Sequence, residues 1–121
     1  MNTLPNYEKV VIPIEKLTKY ALDPKSEPDK ATAFRLALGY KISNANALIN
    51  NIRNNLVSFE CKEKDNKGHG MRYEVIMSLV GENGRTANVL TAWIDDKVNG
   101  EMRMTSAYVT KKKGAQYVKR V

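Results

Sequence analysis

Met71-Arg72-Tyr73-Glu74-Val75-Ile76-Met77-Ser78-Leu79-Val80 is a ten-residue β-like run with turn-forming stretches on both sides. Before it lies Asp65-Asn66-Lys67-Gly68-His69-Gly70, and after it Gly81-Glu82-Asn83-Gly84. Similar runs occur over 57–62, 87–94 and 102–110, the last two separated by Asp95-Asp96-Lys97-Val98-Asn99-Gly100. Connections this short pair consecutive strands antiparallel, because a parallel pair needs a crossover of roughly a dozen residues or more. The second half of the chain therefore reads as an antiparallel sheet of about four strands.

Within the helical first half, residues 1–12 read as an extended lead-in and three helices follow. Pro13 suits the first turn of a helix that runs to Leu22, with Ile14, Leu17 and Ala21 as its apolar stripe and Asp23-Pro24 as its stop. Asp29 can cap a second helix ending at Leu38 before Gly39. Ser43 or Asn44 caps a third, in which Ala45, Leu48, Ile49 and Ile52 recur at helical spacing up to Asn54-Asn55. The expected architecture is α+β: three N-terminal helices on one face of the sheet, with the other face at least partly open. One domain spans 1–121, with a helical half at 1–55, a sheet at 56–110 and a basic tail at 111–121.

Composition narrows the chemistry. One cysteine, Cys61, rules out an intrachain disulfide, and with a single histidine, His69, no cofactor or metal is expected. No apolar run approaches the roughly 18 residues of a membrane span, and the N-terminus lacks the layout of a signal peptide. The net charge of +7 is skewed: residues 1–60 hold eight Lys/Arg against six Asp/Glu, and residues 61–121 twelve against seven. From Arg103 onward there are Lys111, Lys112, Lys113, Lys119 and Arg120 and no acid, which favours a polyanion or an acidic partner, or else a solvated tail.

If the turns pair Val80 with Arg85 and Asp95 with Glu101, the open face gathers Arg72, Glu74, Thr91, Trp93, Arg103 and Thr105. Met71, Tyr73, Val75, Leu90, Ala92, Ile94, Met102, Met104 and Tyr108 then form the core. A slip of one residue would exchange these roles and bring Ser106 and Tyr108 to the open face. The constellation has the ingredients for RNA chemistry. Arginines neutralise phosphate, Trp93 offers a stacking plane, Glu74 accepts the proton of a ribose 2′-hydroxyl, and His69 is the default proton donor. The same residues also suit a solvated polar ladder, an exposed loop histidine and a partly buried tryptophan.

An ordered set of stretches spanning about residues 10–110 resembles a bacterial domain family: 12–22, Leu38-Gly39-Tyr40, Gly70-Met71-Arg72-Tyr73, Gly84-Arg85, Thr91-Ala92-Trp93 and Thr105-Ser106-Ala107-Tyr108. That family occurs at the C-termini of secreted filamentous-haemagglutinin-type proteins, including contact-dependent growth inhibition toxins, and in phage proteins. Such domains are similar in architecture to the barnase, EndoU, colicin and RelE group of ribonucleases. The resemblance implies Lys16, Tyr20, Arg72, Thr91, Trp93, Thr105 and Tyr108 as site residues, with Lys16 contacting a phosphate or the transition state. It also implies an acidic cognate immunity protein as partner and delivery from a secreted effector into a target-cell cytoplasm. The resulting expectation is a metal-independent endoribonuclease toxin acting on RNA, with transfer RNA as the expected target and Arg103, Lys111, Lys112 and Lys113 as further RNA contacts. The competing expectation is a non-catalytic RNA-binding or phage accessory module using the same basic surface.

Overall fold

Helical elements precede a four-stranded sheet in the computed structural model, which describes residues 2–66 and 68–118. Lys67, Lys119 and Arg120 of the basic inventory lie outside the described residues. After a short 3-10 turn at Tyr7–Lys9, the first predicted helix appears as a brief helical segment that widens into a π-helical turn over Leu17–Ala21. Helix α1 spans Pro28–Leu38, with Pro28 in its first turn and Asp29 just inside, where a carboxylate favours the positive end of the helix dipole. Gly39 ends α1 at φ 76, a left-handed conformation that favours glycine. A 3-10 turn, Ile42–Asn44, leads into α2, Ala45–Asn55. Another, Leu56–Ser58, carries the chain on, so β1 starts at Cys61 rather than near Val57.

The strands are β1 Cys61–Asn66, β2 Met71–Val80, β3 Thr86–Asp96 and β4 Glu101–Thr110, paired antiparallel in that order. The N-terminal segment adds a parallel bridge to the β4 edge: Val11 N–H donates to the Met102 carbonyl (2.8 Å), and Met104 N–H donates to the Val11 carbonyl (2.9 Å). Phe34 and Leu38 of α1, Leu48 and Ile52 of α2, and Leu17 and Ala21 of the π-turn join Tyr73, Val75, Met77, Leu79, Trp93, Met102 and Met104 in one core. At Gly70 any Cβ would collide with the Asp95 carbonyl, so this position lets the β1–β2 loop close against β3.

Register departs from the expectation by one residue. Val80 pairs with Thr86, not Arg85, because Gly81 N–H donates to the Arg85 carbonyl (2.8 Å) and closes a five-residue turn. Asp96, not Asp95, pairs with Glu101, and a bulge at Thr105 shifts the rest of β4 once more. A shift of one residue turns every side chain of a strand over. Thr91 and Trp93 therefore face the core, while Ala92 and Ile94 turn to the opposite face beside Arg72, Glu74, Arg103, Ser106 and Tyr108. Leu90 is buried on that opposite face, between Ile76 and Tyr108, outside the main core.

The face opposite the helices is also not open throughout. Residues 111–118 leave β4 and run back across it. Asn88 donates to the Lys112 carbonyl (3.2 Å), and a Cβ on Gly114 would press on Ile76 Cδ1 (2.8 Å). Beyond that point Glu60 N–H donates to the Gln116 carbonyl (2.8 Å), and Val118 N–H to the Ser58 carbonyl (2.9 Å). The Phe59 and Tyr117 rings stack with centroids 4.6 Å apart. The basic tail is thus a strap over the sheet.

Candidate functional site

A cleft of about 100 Å³ opens at the β4 edge just past the bridge to Val11, lined by Lys16, Tyr20, Ala21, Glu27, Lys30, Thr105, Ser106 and Ala107. Local sequence explains each contributor. Lys16 precedes the π-turn that carries Tyr20, and widened turns of this kind recur at functional sites because they displace side chains from regular helical positions. Glu27 occupies the N-cap position of α1, with no capping hydrogen bond from its side chain, and Lys30 lies in the first turn, so both sit at one end of that helix. Thr105 is the extra residue of the β4 bulge, a device that re-aims side chains at sheet edges.

Charge in the cleft is two lysines against one carboxylate. Lys30 Nζ stands 3.3 Å from Glu27 Oε2 and 5.4 Å from the centre of the Tyr108 ring. Lys16 Nζ lies 5.7 Å from the centre of the Tyr20 ring. Both separations suit cation–π attraction, which holds an ammonium over a ring while leaving its N–H groups free to donate. Lys16, Lys30, Glu27, Thr105 and Ser106 are all partly exposed, so a solute can reach them.

Lys16, Tyr20 and Thr105 therefore converge, and Tyr108 adjoins them through Lys30. Lys30, Glu27 and Ser106 complete the cleft. Lys30 and Glu27 carry no distinguishing sequence signal beyond their three-residue spacing at a helix start, and alternation alone brings Ser106 to the open face only if the register slips by one residue.

The remaining candidates lie elsewhere. Trp93 is 1% exposed and Thr91 fully buried, so neither stands on an open face. The Thr91 hydroxyl donates to the Val75 carbonyl (2.9 Å) and accepts from the Trp93 indole N–H (2.8 Å), which makes them a buried polar link within the core. Glu74 pairs with Lys64 of β1 at 3.8 Å instead of joining a ladder with Arg72 and Thr91. Arg103 binds Glu101 at 3.0 Å, and Arg72 is exposed two strands away from the cleft. His69 is exposed in the β1–β2 loop. Lys111, Lys112 and Lys113 are exposed on the strap.

Among the described residues no group of three or more His, Cys, Asp or Glu is placed to hold a metal ion, and no helix is long and apolar enough to cross a membrane. No curated protein and no solved structure matches the chain. A family model does match over residues 3–111, and the chain belongs to that family, described as a domain of unknown function, DUF6883.

Proposed function

We propose that this domain is an endoribonuclease that cleaves RNA without a metal, by attack of a ribose 2′-hydroxyl on the adjacent phosphate. The observation that carries the reading is the convergence of Lys16, Lys30, Glu27, Tyr20, Thr105 and Ser106 on one cleft at a bulged sheet edge. These are the groups the reaction requires. Lys16 and Lys30 neutralise the phosphate, and the Thr105 and Ser106 hydroxyls donate to its oxygens. Glu27, the one carboxylate of the cleft, takes the 2′-hydroxyl proton as the 2′-oxygen bonds to phosphorus, while Lys30 moves from Glu27 to the phosphate. As the bond from phosphorus to the 5′-oxygen breaks, the Tyr20 hydroxyl protonates the leaving oxygen. The products are a 2′,3′-cyclic phosphate and a free 5′-hydroxyl.

The biological setting that goes with this activity is a toxin directed at transfer RNA, delivered from a secreted effector and held in check by an acidic immunity protein. The net charge of +7 supports such a pairing, since opposite charge speeds association. The test is digestion of total bacterial RNA in EDTA by the wild type, Lys16→Ala and Thr105→Ala, with end-group analysis for cyclic phosphate. Discrete fragments that weaken by about 100-fold or more in the variants are expected. Intact RNA at micromolar protein would overturn the catalytic reading and leave RNA binding alone, which the lysines flanking the strap also favour.

A further inference from the structure

The strap builds a second basic groove, on the sheet face opposite the helices. It is lined by Lys62 and Lys64 of β1, Lys112, Lys113 and Gly114 of the strap, and Glu60, Glu74 and Ile76, and encloses about 350 Å³. It shares no residue with the β4-edge cleft. We propose that this groove is a binding site for the backbone of single-stranded RNA, separate from the cleft and holding a segment of the substrate away from the cut.

Four ammonium groups stand against two carboxylates, and Glu74 is already engaged by Lys64 at 3.8 Å. Among the described residues Lys62, Lys112 and Lys113 have no carboxylate within salt-bridge distance, and all four lysines are exposed. Unpaired lysines facing each other across a groove repel one another, and a phosphate chain between them relieves that repulsion while releasing its counterions. The two walls come from segments about fifty residues apart in sequence, yet they are fixed relative to each other by the Glu60–Gln116 and Val118–Ser58 hydrogen bonds and the Phe59–Tyr117 stack. Ile76 and Gly114 give the floor an apolar stretch on which a base or ribose can lie. A volume of about 350 Å³ takes a nucleotide-sized segment, and an apolar floor serves an unpaired base better than a stacked one, which favours a single strand as the ligand.

This inference places the remote part of the substrate of the proposed ribonuclease, but binding here does not require cleavage. Fluorescence anisotropy with a dye-labelled 12-mer of 2′-O-methyl RNA, which has no 2′-hydroxyl to attack, measures binding separately from cleavage, and the lysine variants separate the groove from the rest of the surface. The variant K62Q/K64Q/K112Q/K113Q is compared with K19Q/K25Q/K41Q/K97Q, four exposed lysines outside the groove that lower the charge equally. A loss of affinity of about tenfold or more in the first variant and under about threefold in the second is expected, together with a shallower salt dependence in the first. Equal losses in both variants, or no binding by the wild type, overturn the groove. Binding by the wild type with no cleavage of ordinary RNA sinks the ribonuclease reading while leaving the groove standing.

Discussion

Thr91 shows how a residue type that suits catalysis becomes structural once its neighbours are known. Its hydroxyl has a donor and an acceptor role filled inside the core, so Thr91→Val leaves the Trp93 indole N–H buried without a partner. A cost of about 1–3 kcal/mol in urea unfolding is expected, with Trp93→Ala costing more, about 3–5 kcal/mol. A neutral Thr91→Val would show that the indole finds another acceptor. The Cys61 thiol is likewise pushed up from its ordinary value by burial, and it donates to the Thr3 carbonyl at 3.4 Å. Less thiolate at pH 8 means slower alkylation in the folded protein than in the unfolded chain; equal rates would contradict the burial. At this scale the sequence was informative about residue chemistry and poor about exposure. Lys16 and Tyr20 stand out only through the family resemblance, and the burial of Trp93 turns on a strand register that no single residue encodes.

Elements were legible in proportion to the length of their pattern. Helix α2 repeats Leu48 and Ile52 over three turns and begins and ends close to where its spacing predicts, and β2 matches over its whole length. The first helix does not: a short segment gives few repeats, and the π-turn breaks their period. Register failed because Arg85 belongs to the turn, as the Gly81–Arg85 hydrogen bond requires, while alternation within β3 reads equally well in either phase. The bulge at Thr105 leaves no sequence mark, yet it has a testable consequence. Before it Met104 pairs with Trp93, and after it Ser106 pairs with Ala92. Deleting Thr105 alone would make this ladder continuous without turning any other β4 side chain over. The deletion is expected to preserve cooperative thermal unfolding while abolishing the proposed RNA cleavage, and a deletion variant that cleaves as well as the wild type would remove the bulge from the site.

For the whole molecule, stability should respond to alkali. Burial raises the Tyr40 and Tyr73 hydroxyls above their ordinary value of 10.0, so the folded state favours their neutral forms. That contribution is complete below about pH 10 and is lost as the pH rises through the folded-state values, because the unfolded chain ionises first. Asp96 works in the opposite sense: hydrogen bonds from Asn99 and Val98 lower its carboxyl, and this contribution disappears as the pH falls below the ordinary value of 3.8. Unfolding midpoints measured from pH 7 to 11 should begin to decline above the ordinary thiol value of 9.0, where Cys61 contributes, and fall further above 10.0, the latter part more shallowly in Tyr40→Phe than in the wild type. A Tyr40→Phe curve parallel to the wild type would assign the alkaline loss elsewhere. The α+β plan itself was readable because turn signals and strand runs recur across half the chain, whereas the strap was not, since its lysines look the same on a sheet as in solvent.

The strap also gives the domain a mechanical polarity. Its antiparallel bonds to 58–60 lie one after another from Val118 inward, so tension applied from that end opens them in sequence rather than all at once. Traction from the carboxyl side therefore unzips the strap bond by bond and lays the sheet face bare before it loads the helices.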